Sequence, residues 1–89
     1  MKIRNWDKIK EGTLLLISWE DIVEKAGWQT DDEAQSALPC KIKTVGWFVN
    51  NCDGCVRISS SIAEDGDKTI FVIPQGCVTD VKKINYQRG

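Results

Sequence analysis

The dipeptide Asp53-Gly54, set between two alternating apolar stretches, constrains the fold of this chain more than any other feature. A two-residue type I′ turn needs positive φ at both central residues, and Asp-Gly is one of the few pairs that adopt it readily. The flanking stretches, residues 41–52 and 55–62, are rich in the β-branched and aromatic residues that are typical of strands. The sequence therefore predicts a β-hairpin centred on this turn.

The turn also predicts a register for the hairpin. The expected opposite pairs are Asn51 with Val56, Val49 with Ile58, Trp47 with Ser60 and Val45 with Ile62. Because side chains alternate across a strand, this register puts Trp47 and Ile58 in the core and Phe48 on the opposite, mostly polar face. Gly46 interrupts the first strand and predicts a sharp bend there.

An acidic excursion separates this hairpin from an earlier strand. Residues 13–19 form a short apolar run that favours a buried strand. Residues 20–33 then contain six acidic residues against one lysine, with Trp28 among them. Two capping-box patterns, at residues 18–21 and 30–33, predict helical segments within residues 20–39. Such a long connection between strands is often functional.

Two further strands are predicted after the hairpin. Asp65-Gly66 marks a short loop, so residues 69–73 are expected to pair back, with Ile73 opposite Ile58. Pro74 ends that ladder because it has no N–H to donate. A tight turn at residues 75–77 precedes a last strand, in which the spacing of Val78, Val81 and Ile84 predicts an irregularity.

Five short strands with a one-turn break before the last resemble the SH3-like barrel. Residues 18–21 leading to Gly27-Trp28, residues 44–49 (TVGWFV) and residues 73–78 (IPQGCV) are also similar to small uncharacterised proteins of phages and prophages. The resemblance implies a mainly β, five-stranded SH3-like barrel with a long, partly helical excursion between its first two strands. One domain is expected, with an N-terminal segment (1–12), a barrel (13–84) and a tail (85–89).

The pair Cys52 and Cys55 is the sharpest chemical motif, since C-x-x-C is half of a zinc site and also the spacing of a redox pair. Cys77 is the best-placed third ligand, because the turn that contains it is expected near the hairpin tip. Without histidine the set stays incomplete unless Asp53 or a partner adds a ligand. We therefore expect free thiols and no cofactor; a zinc-stabilised domain is the alternative. The phage-related proteins carry charged residues at this turn, so any role of the motif would be peculiar to this chain.

Composition limits the function classes further. The chain has no histidine, and the serines at residues 59–61 have no neighbouring base to activate them, so we expect no enzyme activity. The formal net charge of −1 gives no overall basic field for nucleic acid. No apolar run approaches the ~20 residues of a membrane span, and no signal peptide is apparent, so a cytoplasmic location is expected.

The leading functional hypothesis is a small protein-binding or adaptor module. Partly exposed aromatic residues are typical interface anchors. The candidate partner-binding residues are Trp28, Asp31, Asp32, Glu33, Phe48 and Gln75. A barrel that binds single-stranded nucleic acid is the rival class, with Lys41, Lys43, Phe48 and Arg57 as its face. Self-association also stays open as a form of protein binding.

Overall fold

The computed structural model describes residues 6–86, which form one open antiparallel sheet. The strands are β1 (Leu14–Asp21), β2 (Cys40–Cys52), β3 (Cys55–Ser59), β4 (Phe71–Pro74) and β5 (Val78–Lys83), in the order β4-β3-β2-β1-β5. Helical structure comprises the six-residue helix α1 (Asp31–Ser36) and two 3-10 turns, Trp6–Lys8 and Gln75–Cys77. The mainly β prediction is confirmed. Within residues 6–86, β4 and β5 are the two edges and do not pair, so the sheet is not closed.

The turn of the β2–β3 hairpin is as predicted, but most of its register is not. Asp53 and Gly54 have φ of 57° and 73°, and Asn51 faces Val56. The register then shifts between Phe48 and Asn50, so that Phe48 faces Ile58. One extra residue in β2 is a β-bulge, which moves every side chain beyond it to the other face of the sheet.

This bulge reverses the predicted faces of β2. Phe48 is buried and stacks on Trp6, with ring centroids 6.1 Å apart. Trp47 is only half-buried, and Val45 is 48% exposed. The predictions that Trp47 belongs to the core and that Phe48 lies on the polar face are therefore wrong. Ile58 is buried as predicted.

Gly46 lies where β2 leaves its pairing with β1 and begins its pairing with β3. A Cβ at this position would lie 2.9 Å from the carbonyl oxygen of Ser59 and 3.0 Å from Cδ1 of Ile58. Only glycine allows β3 to approach this closely. Gly46, which interrupts the apolar pattern of β2, is thus a point of close contact between β2 and β3.

The core lies on one face of the sheet and includes the start of the described chain. Its buried apolar residues are Trp6, Leu15, Ile17, Phe48, Val56, Ile58, Ile73 and Val78. Backbone hydrogen bonds join residues 12 and 13 to Phe48, with Gly12 N–H donating to the Phe48 carbonyl at 2.8 Å and Phe48 N–H donating to the Thr13 carbonyl at 2.7 Å. They hold the segment that carries Trp6 over β2.

The last two strands follow the predicted order with shifted partners. Ile58 faces Phe71, whereas Ile73 faces Val56, so the predicted Ile58–Ile73 pair is wrong. Pro74 is the last residue of β4, as predicted, and the 3-10 turn follows it. The irregularity in β5 is confirmed: the register shifts opposite Ser18 and Trp19, and the Thr79 hydroxyl donates to the Ser18 carbonyl at 3.1 Å.

The ring of Phe71 in β4 also lies 5.9 Å from that of Trp19 in β1, measured between centroids. These two strands are separated in the sheet by β3 and β2. The contact shows that the sheet coils back toward itself. Among the described residues, no helix has the length and apolar character required to cross a membrane.

Candidate functional site

Residues 22–39, which connect β1 to β2 and are called the acidic arm here, form the most exposed segment of the described chain. The last pair of the β1–β2 ladder is Asp21 with Cys40, and all residues between them are exposed. The Cα radius of gyration is 16.3 Å, against about 12 Å for a compact chain of this length. The long dimension of the molecule is 52 Å, with 28 and 27 Å across. These dimensions fit an arm that projects from the sheet.

The folded part of the arm is held by local hydrogen bonds. Thr30 caps α1 as predicted: its hydroxyl accepts from Glu33 N–H at 3.1 Å, and the Glu33 carboxylate accepts from Thr30 N–H at 2.9 Å. The helical segment predicted from the capping-box pattern at residues 18–21 does not form, because β1 continues through Asp21. The excursion is therefore less helical than expected, with one short helix.

Apolar side chains of the arm are exposed rather than packed. Trp28 is fully exposed (102%), Ile22 is 90% exposed and Leu38 is 71% exposed. A groove of about 420 Å³ lies between the two ends of the arm. Its lining is mostly apolar (Ile22, Val23, Ala34, Ala37, Leu38 and Pro39) and also includes Lys25, Gln29 and Glu33. Exposed apolar surface with a polar rim is typical of an interaction site.

The arm that carries this apolar surface has a net negative charge. It contains Glu24, Asp31, Asp32 and Glu33 against the single lysine Lys25. Glu20 and Asp21 add two carboxylates at its base. The arm therefore combines an apolar groove, an exposed tryptophan and a net negative charge on one segment.

The six predicted partner-binding residues fall into three places. Trp28, Asp31, Asp32 and Glu33 share the arm, and all are exposed. Gln75 begins the 3-10 turn Gln75–Cys77. Its N–H donates a hydrogen bond of 2.8 Å to the carbonyl of Gly54, at the tip of the β2–β3 hairpin. Phe48 is buried in the core and is removed from the candidate surface.

The 3-10 turn lies close to the base of the arm. Val78 directly follows this turn and faces Trp19, two residues before the end of β1 at Asp21. The hydrogen bond from Gln75 to Gly54 brings the tip of the β2–β3 hairpin to the same turn. The arm base, the 3-10 turn and the hairpin tip are thus neighbours, although the sequence separates them widely.

The sequence did not identify two residues of this surface. Ile22 lay within the helical segment predicted after the capping-box pattern at residues 18–21, which does not form, and Leu38 was given no role. An apolar residue beside Pro39 in an otherwise polar stretch was the only signal for Leu38. The signal for Ile22 was ambiguous because its spacing from Trp19 fits a helix.

The rival nucleic-acid face is not assembled as predicted. Phe48, its stacking residue, is buried. The Arg57 guanidinium lies 3.7 Å from the Asp53 carboxylate and donates to the Asn50 side-chain oxygen at 2.9 Å. Lys41 and Lys43 are exposed on β2. Because Phe48 is buried, it does not provide an exposed aromatic ring for base stacking beside these two lysines.

The four cysteines are free thiols. Cys52 and Cys55 face each other across the turn, while Cys77 is half-buried against the core. In residues 6–86 no group of three or more cysteine or carboxylate side chains is placed to hold a metal ion. The predicted lack of a cofactor stays a prediction.

Comparison of the chain with protein-family models, with curated proteins and with solved structures finds no match. The resemblance to phage and prophage proteins therefore stays a prediction.

Proposed function

We propose that this protein is a non-enzymatic binding module that docks a basic, partly apolar protein segment against the acidic arm. The observation that carries the proposal is the full exposure of Trp28 on a segment that also presents Ile22, Leu38 and four carboxylates. The phage or prophage origin and the cytoplasmic location belong to the same proposal and rest on the sequence alone.

An SH3-like barrel is the fold that we propose for the module. Two observations support this assignment: β5 pairs with β1 after a single 3-10 turn, and the Trp19–Phe71 contact coils the sheet back on itself. In SH3-like barrels, the connection between the first two strands, the tip of the hairpin formed by the second and third strands, and the 3-10 turn before the last strand lie near one another. The hydrogen bond between Gln75 and Gly54 and the position of Val78 beside Trp19 fit that arrangement.

The apolar part of the surface would supply most of the affinity. Burying a tryptophan in an interface removes a large apolar area from water, and tryptophan is enriched among residues that cost about 2 kcal/mol or more when truncated to alanine. The groove beside Ile22 and Leu38 offers a place for a second apolar side chain of the partner.

The carboxylates would set the partner's charge and the rate of association. Asp31, Asp32 and Glu33 lie together at the start of α1 and are exposed. Exposed charges of one sign steer an oppositely charged partner, and salt weakens this attraction over a Debye length of about 8 Å at physiological ionic strength. A basic partner segment is therefore the best fit.

The proposal is tested by affinity capture from the native host with matched variants. Trp28→Ala should weaken the capture of specific partners, and the recovered partner should bind about 30-fold less tightly, which corresponds to ~2 kcal/mol. Tyr86→Ala is the matched control, because Tyr86 is also exposed (54%) but lies outside the arm. Equal capture by the two variants would contradict the proposal. Sedimentation of the purified protein separates self-association from the binding of a different protein.

A further inference from the structure

The end of the β2–β3 hairpin places two thiols directly opposite each other. Cys52 and Cys55 flank the Asp53-Gly54 turn and form the last pair of the ladder. The pair that closes a two-residue hairpin is hydrogen-bonded, with Cα atoms about 5.5 Å apart. Disulfides join Cα atoms about 4.4–6.8 Å apart, most often near 5.5–6 Å. The expected Cα separation of the two cysteines therefore lies within the range that disulfides span.

The thiols are also accessible and lie away from the core. Cys52 is exposed and Cys55 is half-buried, while the next residue, Val56, faces the core. Alternation along the strands puts Asn50 and Arg57 on the same outer face as the two cysteines. An attacking reagent can reach this face without unfolding the sheet.

A positive charge lies beside the more exposed sulfur. Arg57 Nη1 lies 3.3 Å from the Sγ atom of Cys52 and donates to the Cys52 carbonyl at 3.2 Å. The Asp53 carboxylate lies 3.7 Å from the same guanidinium. The thiolate is the form of cysteine that attacks disulfides. Cys40 and Cys77 face no cysteine in the ladder registers.

We propose that Cys52 and Cys55 are a reversible oxidation site that forms an intramolecular cross-strand disulfide by exchange with a low-molecular-weight disulfide such as glutathione disulfide. The proposed oxidation site does not rest on the binding function proposed for the arm.

The exchange proceeds in two balanced steps. The Cys52 thiolate attacks one sulfur of glutathione disulfide, which forms a mixed disulfide and releases one glutathione thiolate. The Cys55 thiolate then attacks the Cys52 sulfur of the mixed disulfide and releases the second glutathione. The protein loses two electrons and two thiol protons, and one glutathione disulfide becomes two glutathione thiols.

The test equilibrates the full chain in buffers of reduced and oxidised glutathione, followed by acid quenching, alkylation and peptide mass spectrometry. An intramolecular disulfide depends on the ratio of oxidised glutathione to the square of reduced glutathione. Tenfold dilution of both at a constant ratio should therefore raise the oxidised-to-reduced protein ratio about tenfold. A stable mixed disulfide would not respond to this dilution.

Variants identify the pair. The double variant Cys40→Ser, Cys77→Ser should keep the response to dilution, whereas Cys52→Ser and Cys55→Ser should each abolish it and leave a mixed disulfide on the remaining cysteine of the pair. Because Cys52 and Cys55 lie outside the core, these serine variants are expected to fold, which circular dichroism checks. Oxidation that yields only mixed disulfides, or a bridge to Cys77 or Cys40, would overturn the proposal.

Discussion

Strand β2 has a connection at each end, and the two connections differ in almost every physical respect. At its C-terminal end two residues, Asp53 and Gly54, reverse the chain and lead into a ladder that contains buried Val56 and Ile58. At its N-terminal end, residues 22–39 of the acidic arm are all exposed, including several large apolar side chains. The short connection joins two strands that both contribute buried side chains to the core. The long one contributes no buried residue to the core, and partner binding is the role that we propose for its apolar residues.

The largest expected effect is at Phe48, on the core side of this comparison. Phe48→Ala removes a buried ring that stacks on Trp6, and we expect a loss of ~3–5 kcal/mol in the free energy of unfolding. Urea denaturation measures the loss. Trp47→Ala is the control and should cost clearly less, because Trp47 is half-buried. A larger loss at Trp47 than at Phe48 would show that the bulge is misplaced.

A smaller loss is expected at Gly46 in β2. Gly46→Ala places a Cβ against the Ser59 carbonyl, which is backbone and cannot move aside, so we expect a cost of ~1–3 kcal/mol. Gly76→Ala is the matched control, since a Cβ at Gly76 would meet no atom within 4 Å. Equal stability of the two variants, measured by thermal unfolding, would contradict the close packing of β3 on Gly46.

A change confined to the arm should leave the core untouched. Thr30→Ala removes one half of the capping box, which is worth ~1 kcal/mol to α1. Because α1 contains no buried residue, we expect the helical NMR shifts of residues 31–36 to weaken while the urea midpoint stays constant. A coupled fall in global stability would show that the arm packs on the sheet.

Trp28→Ala should have almost no effect on folding. A fully exposed side chain contributes little to the core, so the free energy of unfolding should change by less than ~0.5 kcal/mol. Differential scanning calorimetry checks this expectation. A loss like that of Phe48→Ala would mean that Trp28 covers the sheet, and the proposed anchor would then be wrong.

Chelation should have the smallest effect. We expect no change in the melting curve with a strong chelator and no stoichiometric zinc by elemental analysis, because structural zinc supplies much of the folding free energy of small domains. Unfolding by the chelator would assign Cys52, Cys55 and Cys77 to a metal site.

Features set by neighbouring residues could be predicted from the sequence. The turn at Asp53-Gly54 and the capping box at Thr30 depend on side chains within four residues, and both are confirmed. The other capping-box pattern, at residues 18–21, failed because its residues pair with β2 and β5, and ladder pairing outweighs local helix signals.

Features set by distant contacts could not be predicted. Trp47 and Phe48 are adjacent and both apolar, so alternation alone cannot show which of them faces the core. One extra residue in β2 decides it, and that bulge, between Phe48 and Asn50, is visible only in the pairing of β2 with β3. At the candidate site, Trp28 and the acidic residues were predicted from composition, whereas Ile22 depended on the strand reaching Asp21.

In a variant that carries Trp19→Phe and Trp47→Phe, the contrast between Trp6 and Trp28 makes intrinsic fluorescence a selective reporter. Trp6 is 6% exposed against Phe48, whereas Trp28 is 102% exposed on the acidic arm. A neutral quencher such as acrylamide should reach Trp28 first, while iodide should be less effective there because the net negative charge of the arm repels it. Emission from Trp28 would then follow occupancy of the arm. Emission from Trp6 would follow loss of the core, so one sample could report both events at different wavelengths.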